Sequence, residues 1–263
     1  MKPRIAIPLP HSGDPEYALR AIPQYERAVS LSGGDPVRIP LDRPPAEIMK
    51  LIEQCDGVLL PGSKADVDPA KFGAERHPKT EASDPKRDTV DELLLQDAYN
   101  MRKPIFGICY GLQILNVYQS GDLVQHIESP VNHEAGRKVP VAHNVEIEPD
   151  SRLAEILTRT SVEGRAPSSV RESDAVVIPA NSSHHQAAGD VIGDGLRVVA
   201  RCPTDSVIEA LEGTSLDHFV IAVQWHPERS FDDDPRSRAL FRALVEASSE
   251  RHQQLAGEFE TAP

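Results

Sequence analysis

Hydrophobic and polar positions fall into alternating blocks over the first 120 residues. Short β-branched and apolar runs, RIAIP (4–8), PVRIP (36–40) and GVLLP (57–61), are separated by stretches near 16–31 and 44–54 with apolar residues at helical spacing. Strand, helix, strand, helix, strand is how a parallel sheet begins, with its crossovers covering it. Residues 86–102, KRDTVDELLLQDAYNMR, set Val90, Leu93, Leu94, Asp97 and Ala98 on one mostly apolar stripe, and Pro104 then opens the strand run PIFGI (104–108).

From Gly121 to about Asp150 the pattern changes to short alternating segments such as VPVAHNVEIEP, more typical of antiparallel strands beside the main sheet. A short helix is expected near 151–158 and a polar surface loop at 159–175. Strand runs return in AVVIPANSS, GLRVVARC, SVIEALE and FVIAVQW. A closing amphipathic helix is expected from Pro235 to about Ala247, with Leu240, Phe241 and Leu244 facing the core. The pattern predicts an α/β protein with a central, mostly parallel sheet flanked by helices and a small antiparallel extension. One domain over 1–249 and a frayed polar tail over 250–263 follow from the same reading.

Composition narrows the function. The chain has 263 residues and a net charge of −13, from 41 acidic and 28 basic side chains without a basic block, so it would repel a polyphosphate backbone. Nucleic acid is not expected as a partner. No stretch approaches the roughly 18 apolar residues of a membrane span, and the start is too weakly apolar for a signal segment, so a soluble cytoplasmic protein with no membrane partner is expected. Three cysteines, Cys55, Cys109 and Cys202, are too few and too scattered for a disulfide framework or a cysteine-rich metal site.

The chemistry concentrates in two short motifs. In PIFGICYGLQIL (104–115), Cys109 lies between Gly107 and Gly111, where a buried strand run gives way to a helix run. Flanking glycines permit a sharp strand-to-helix turn, and the N–H groups of the following helix face the sulfur, favouring a thiolate and offering an oxyanion hole. The plain alternative is a small buried thiol in a tight turn. The second motif, VIAVQWHPE, places His226 and Glu228 at a strand end, with Pro227 limiting their freedom. A cysteine nucleophile needs an imidazole to take its proton, and the imidazole needs a carboxylate on its other nitrogen. Cys109, His226 and Glu228 are the catalytic candidates.

Together with DGVLLPGSKADVDPAKFG (56–73), DPKRD (84–88), NSSHHQA (181–187) and VIEALE (207–212), these motifs resemble the class I glutamine amidotransferase-like hydrolases. Within them, the chain is similar to the gamma-glutamyl-gamma-aminobutyrate hydrolase branch of the gamma-glutamyl cysteine peptidases. The resemblance implies a flavodoxin-like fold with Cys109 as nucleophile, His226 as general base and acid, and Glu228 orienting the histidine. It also implies an oxyanion hole of backbone N–H groups, one from Tyr110 and one from Gly62 or Ser63, a small γ-glutamyl substrate and no cofactor. Two departures stand out: Tyr110 where the family commonly has arginine, and PGSKA, with Ser63, where it commonly has a second glycine. Both positions are expected to border the acyl pocket and to affect substrate choice.

Supporting roles are expected for Gln113, one helical turn beyond Cys109, and for Arg87; by the resemblance, Ser183, His184 and His185 in NSSHHQA line the pocket. Surface positions are the alternative for Gln113 and Arg87. Adjacent histidines on an extended segment point to opposite faces, so His184 and His185 are not read as metal ligands. Asp66 and Asp68 are read as turn or capping residues, and Cys55 and Cys202 as inert. Two other functions compete, a glutaminase subunit feeding ammonia to a synthase and a non-catalytic binding protein. The oligomeric state is not written in the sequence; a homodimer is the common default.

Overall fold

The computed structural model describes residues 2–159 and 176–261. In chain order the elements are β1 (Arg4–Pro8), α1 (Pro15–Leu31), β2 (Asp35–Ile39), α2 (Pro45–Ile52), β3 (Gly57–Leu60), α3 (Pro85–Met101), β4 (Ile105–Ile108) and α4 (Tyr110–Tyr118). They continue with β5 (Leu123–Val124), β6 (His143–Ile147), α5 (Arg152–Arg159), β7 (Val176–Ala180), β8 (Ala187–Ala188), β9 (Leu196–Arg201), β10 (Ile208–Gly213), β11 (Val220–Val223) and α6 (Pro235–Thr261). Capping fixes two helix starts: the Asp14 carboxylate accepts from Tyr17 N at 2.8 Å and Asp84 from Arg87 N at 3.2 Å, each just before a proline that needs no N–H partner.

The main sheet runs β2-β1-β3-β4-β11-β10-β9-β6-β7. From β2 to β11 the neighbours are parallel; from β11 to β7 they are antiparallel, so the expected extension supplies four strands. The central strands β3, β4 and β11 are buried along their whole length, which is why they read as unbroken apolar runs. Their alternate residues enter different cores. Ile5, Ile7, Leu59, Phe106 and Ile108 pack with Ile22 of α1 and Leu240, Phe241 and Leu244 of α6, whereas Ala6, Val58, Leu60 and Ile105 pack with Ile48, Leu94 and Leu115 of α2, α3 and α4. Within the otherwise apolar stripe of α3, Asp97 is buried and pairs with Lys103 Nζ at 2.5 Å.

The closing helix does not stop near Ala247 but continues through the expected polar tail to Thr261. Polar contacts hold the extension: Arg251 Nε donates to Met101 O at 2.9 Å, and His252 Nδ1 meets Asp56 Oδ1 at 2.9 Å. Its lack of an apolar stripe hid it from the hydrophobic pattern. The expected loop at 159–175 lies, beyond Arg159, outside the described residues. No helix among the described residues is long and apolar enough to cross a membrane.

Candidate active site

The site is built at the C-terminal ends of the parallel strands, where side chains from neighbouring βα turns converge. Cys109 joins β4 to α4 with φ 54° and ψ −105°, a conformation an L-residue rarely adopts, costing on the order of 1–3 kcal/mol. Its N–H donates to Val223 O of β11 at 2.8 Å, so the turn is tied to the strand that delivers His226. The flanking glycines are required by close approach. A Cβ on Gly107 would lie 2.8 Å from Gly111 O, and one on Gly111 only 2.2 Å from Leu60 O of β3.

His226 follows β11. Its Nδ1 meets Glu228 Oε1 at 2.8 Å, and the Tyr25 hydroxyl donates to the same oxygen at 3.2 Å. The opposite nitrogen, Nε2, is buried and has no hydrogen-bond partner among the described residues. Asn181 holds the main chain from both sides: its Nδ2 donates to His226 O at 3.0 Å, and its Oδ1 accepts from His226 N at 2.9 Å. Gly62 sits between histidine and cysteine. A Cβ there would stand 3.0 Å from His226 Cε1 and 3.6 Å from Cys109 Cβ.

The electrostatics differ from the expected resting thiolate. Burial pushes the Cys109 thiol up to about 12 despite the Arg229 guanidinium nearby, and no hydrogen bond joins its sulfur to His226. Burial also lowers the His226 pKa, outweighing the carboxylate of Glu228. Burial thus works against the charged form of both groups, because neither charge is fully repaid for losing water.

Both side chains open into one cavity of about 640 Å³. Ser63, Gln113, Ser183, His184 and His185 also line it, as expected. Gln113 is buried, not on the surface, and its Nε2 donates to Gln186 O at 3.0 Å. His184 and His185 do point apart: His185 Nε2 meets Asp66 Oδ1 at 3.1 Å, while His184 Nε2 faces Glu209. Of the residues expected to supply oxyanion-hole N–H groups, Gly62 has its N–H engaged by the Tyr25 hydroxyl at 3.2 Å, while Ser63 and Tyr110 border the cavity. Asp68 caps a short helical turn through Ala70 N, as expected, whereas Asp66 borders the cavity.

Two expectations are corrected. Arg87 is wholly buried beside α4, where its Nε meets Asp91 at 2.8 Å and its Nη2 donates to Pro61 O at 3.0 Å. It is neither a substrate contact nor a solvated helix start. The Tyr110 ring lies over this guanidinium at 5.0 Å, with its hydroxyl donating to Asp88 Oδ1 at 2.8 Å. The Tyr110 side chain thus spends its polar tip on α3, while the residue itself borders the cavity. Sequence reasoning missed Tyr25, Asn181 and Arg229; Asn181 opens the NSSHHQA motif and Arg229 follows QWHPE, whereas Tyr25 had no motif to signal it. Arg229 Nη1 donates to Ser183 Oγ at 2.8 Å, and its Nε lies 3.4 Å from Glu228 Oε1.

The charge of the cavity wall reverses that of the chain. Arg20, Lys64, Lys79, Arg137 and Arg229 line it against three acidic residues, Asp66, Glu81 and Glu134, which favours an anionic ligand.

Known proteins share this arrangement to different depths. A protein of Mycobacterium tuberculosis, Rv2859c, is 36% identical over 230 residues, covering 86% of this chain and 66% of its own length. The gamma-glutamyl-gamma-aminobutyrate hydrolase PuuD of Escherichia coli K12 is 32% identical over 235 residues, covering 85% of this chain and 84% of the relative. The glutaminase domain of a Trypanosoma brucei CTPS, solved with bound acivicin, superposes with a TM-score of 0.57 at 19% identity, covering 94% of each chain, and shows the common fold. The peptidase C26 family pattern matches residues 10–228, which span the elbow, the histidine and the glutamate, and the chain belongs to this class I glutamine amidotransferase-like family.

Proposed function

We propose that this protein is a cysteine hydrolase that cleaves the γ-glutamyl amide bond of a small γ-glutamyl compound, such as γ-glutamyl-γ-aminobutyrate, releasing glutamate and an amine. The observation that carries the reading is the pairing, in one basic-lined cavity, of Cys109 on a strained elbow with the unpartnered Nε2 of a Glu228-bound His226. The Escherichia coli relative named for this activity adds support.

In this mechanism His226 Nε2 takes the Cys109 proton as the sulfur attacks the γ-carbonyl carbon. The N–H groups of Tyr110 and Ser63 receive the oxyanion, a contribution of about 10²–10³ in rate for each donor. Glu228 stabilises the imidazolium, which gives its proton to the departing amine as the C–N bond breaks and a γ-glutamyl thioester remains. Water then loses a proton to His226 and attacks the thioester; the sulfur leaves, regains that proton, and glutamate departs. Among the basic groups that line the cavity, the Arg229 guanidinium, beside Glu228, is assigned on this reading to the substrate's α-carboxylate.

A panel of γ-glutamyl amides assayed for glutamate release tests the proposal. Turnover of at least one amide by the wild type, and none by Cys109→Ala, is expected. Normal release by the variant, or ammonia from glutamine only when a synthase is added, would overturn it.

A further inference from the structure

We propose that His133, His143, His184 and Glu209 form a second, closed site that binds one divalent cation of the zinc class behind the catalytic cavity. The four come from separate segments: His133 from the loop before β6, His143 from β6, His184 from the loop after β7 and Glu209 from β10. One ligand atom from each lies within 4.8 Å of all the others. Glu209 Oε1 is 3.4 Å from His133 Nδ1, 3.3 Å from His143 Nε2 and 3.7 Å from His184 Nε2. Ligands about 2.0–2.1 Å from a tetrahedral zinc ion stand roughly 3.3 Å apart, so small adjustments would close the site.

Hydrogen bonds on the outer side of each ring select the species that binds metal. His133 Nε2 meets Asp205 Oδ2 at 2.8 Å, His143 Nδ1 meets Asn144 O at 3.1 Å, and His184 Nδ1 meets Gln186 O at 2.9 Å. Each outer partner is an acceptor, so each outer nitrogen carries hydrogen and each inner nitrogen of the neutral ring offers a lone pair. This is the arrangement that orients metal-bound histidines. All the inner atoms, both Glu209 oxygens among them, are buried without a hydrogen-bond donor among the described residues. The side chains are 2%, 5%, 1% and 0% exposed for His133, His143, His184 and Glu209. Three imidazole acceptors facing a buried carboxylate need a positive charge at their centre. A cation satisfies all of them at once.

With four protein ligands and no open position, the ion would act structurally. It would pin the loop whose Asn181 clamps the main chain of His226, and whose Ser183 and His185 line the cavity. The proposal rests on the geometry of the four groups and not on the hydrolase reading, although one of them, His184, also borders the catalytic cavity. The rival occupant is a proton on one or more of the imidazoles.

The test is metal analysis of protein purified without chelator, followed by stripping and titration of the full chain with ZnCl2 or CoCl2. About one zinc per chain is expected, as are visible d–d bands of tetrahedral cobalt after CoCl2 addition and a Tm rise of roughly 5–10 °C on adding ZnCl2 to the stripped wild type. Glu209→Gln and His143→Ala should lose the stoichiometric metal. If stripped wild type shows neither cobalt bands nor a Tm shift, or if both variants retain metal as well as wild type, the cation is a proton and the proposal is overturned. The wild-type titration decides even where a variant fails to fold.

Discussion

The two halves of the sheet contribute to the site in different ways. In the parallel half, one contiguous motif at the end of β4 places Cys109, and the glycines, strained φ and following helix all lie within a few residues of it. In the antiparallel half no short motif is complete, and Asn181, His184 and Glu209 take meaning only from one another and from His226. β11 is the boundary strand, paired in parallel with β4 on one side and antiparallel with β10 on the other. Its C-terminal end carries His226, so the placement of this histidine depends on both halves. The reactive groups thus arise where local geometry is strict, while the neighbouring half holds them by contacts distant in sequence.

Cys109→Ala should break the parallel half's contribution most severely. Glutamate release should fall by at least about 10⁴-fold while the fold persists, as thermal unfolding would show. Next comes Glu228→Gln, with a loss between about 10² and 10⁴ in kcat. The pH profile sharpens this test. Burial lowers the His226 pKa, so the acid limb of kcat/KM in the wild type should lie below the ordinary histidine value of 6.5. The Glu228 carboxylate raises that pKa, so Glu228→Gln should move the limb further towards acid; a shift towards base would contradict the assigned pairing.

Asn181→Ala probes the antiparallel half without touching a reacting group. It strips two hydrogen bonds from the buried main chain of His226, so roughly a tenfold fall in kcat and about 1–3 kcal/mol of lost stability are expected, measured by steady-state kinetics and denaturant unfolding. The smallest effect should come from Tyr110→Phe. Losing the hydroxyl's bond to Asp88 should cost about 1 kcal/mol and leave KM unchanged, since the side chain faces α3. A marked change in KM would return this residue to the substrate pocket.

Several features were legible because a local rule governs them. Fully buried strands read as apolar runs, and the elbow carries glycines where a Cβ would collide with backbone. Other features were hidden because distance along the chain carries no signal. The polar end of α6 is held by Met101 and Asp56, more than 100 residues away. Arg87, expected near the pocket with a surface position as the alternative, is instead enclosed by Asp91, Pro61 and the Tyr110 ring. The histidine cluster was overlooked for the same reason: adjacency within HHQ argued against a metal, whereas three of the four candidate ligands lie outside that loop.

By itself, the sequence determined the α/β architecture, the elbow at Cys109 and the pairing of a histidine with a glutamate across one proline, because periodicity, glycine spacing and proline act over a few residues. Only the tertiary structure decided that burial raises the Cys109 thiol, that the Gly62 N–H is engaged by Tyr25, and that the Tyr110 hydroxyl is bonded to Asp88. Those outcomes depend on burial and on which distant group reaches a donor first. Desolvation and hydrogen-bond competition are set by the packed neighbours, and these exist only once the sheet has assembled.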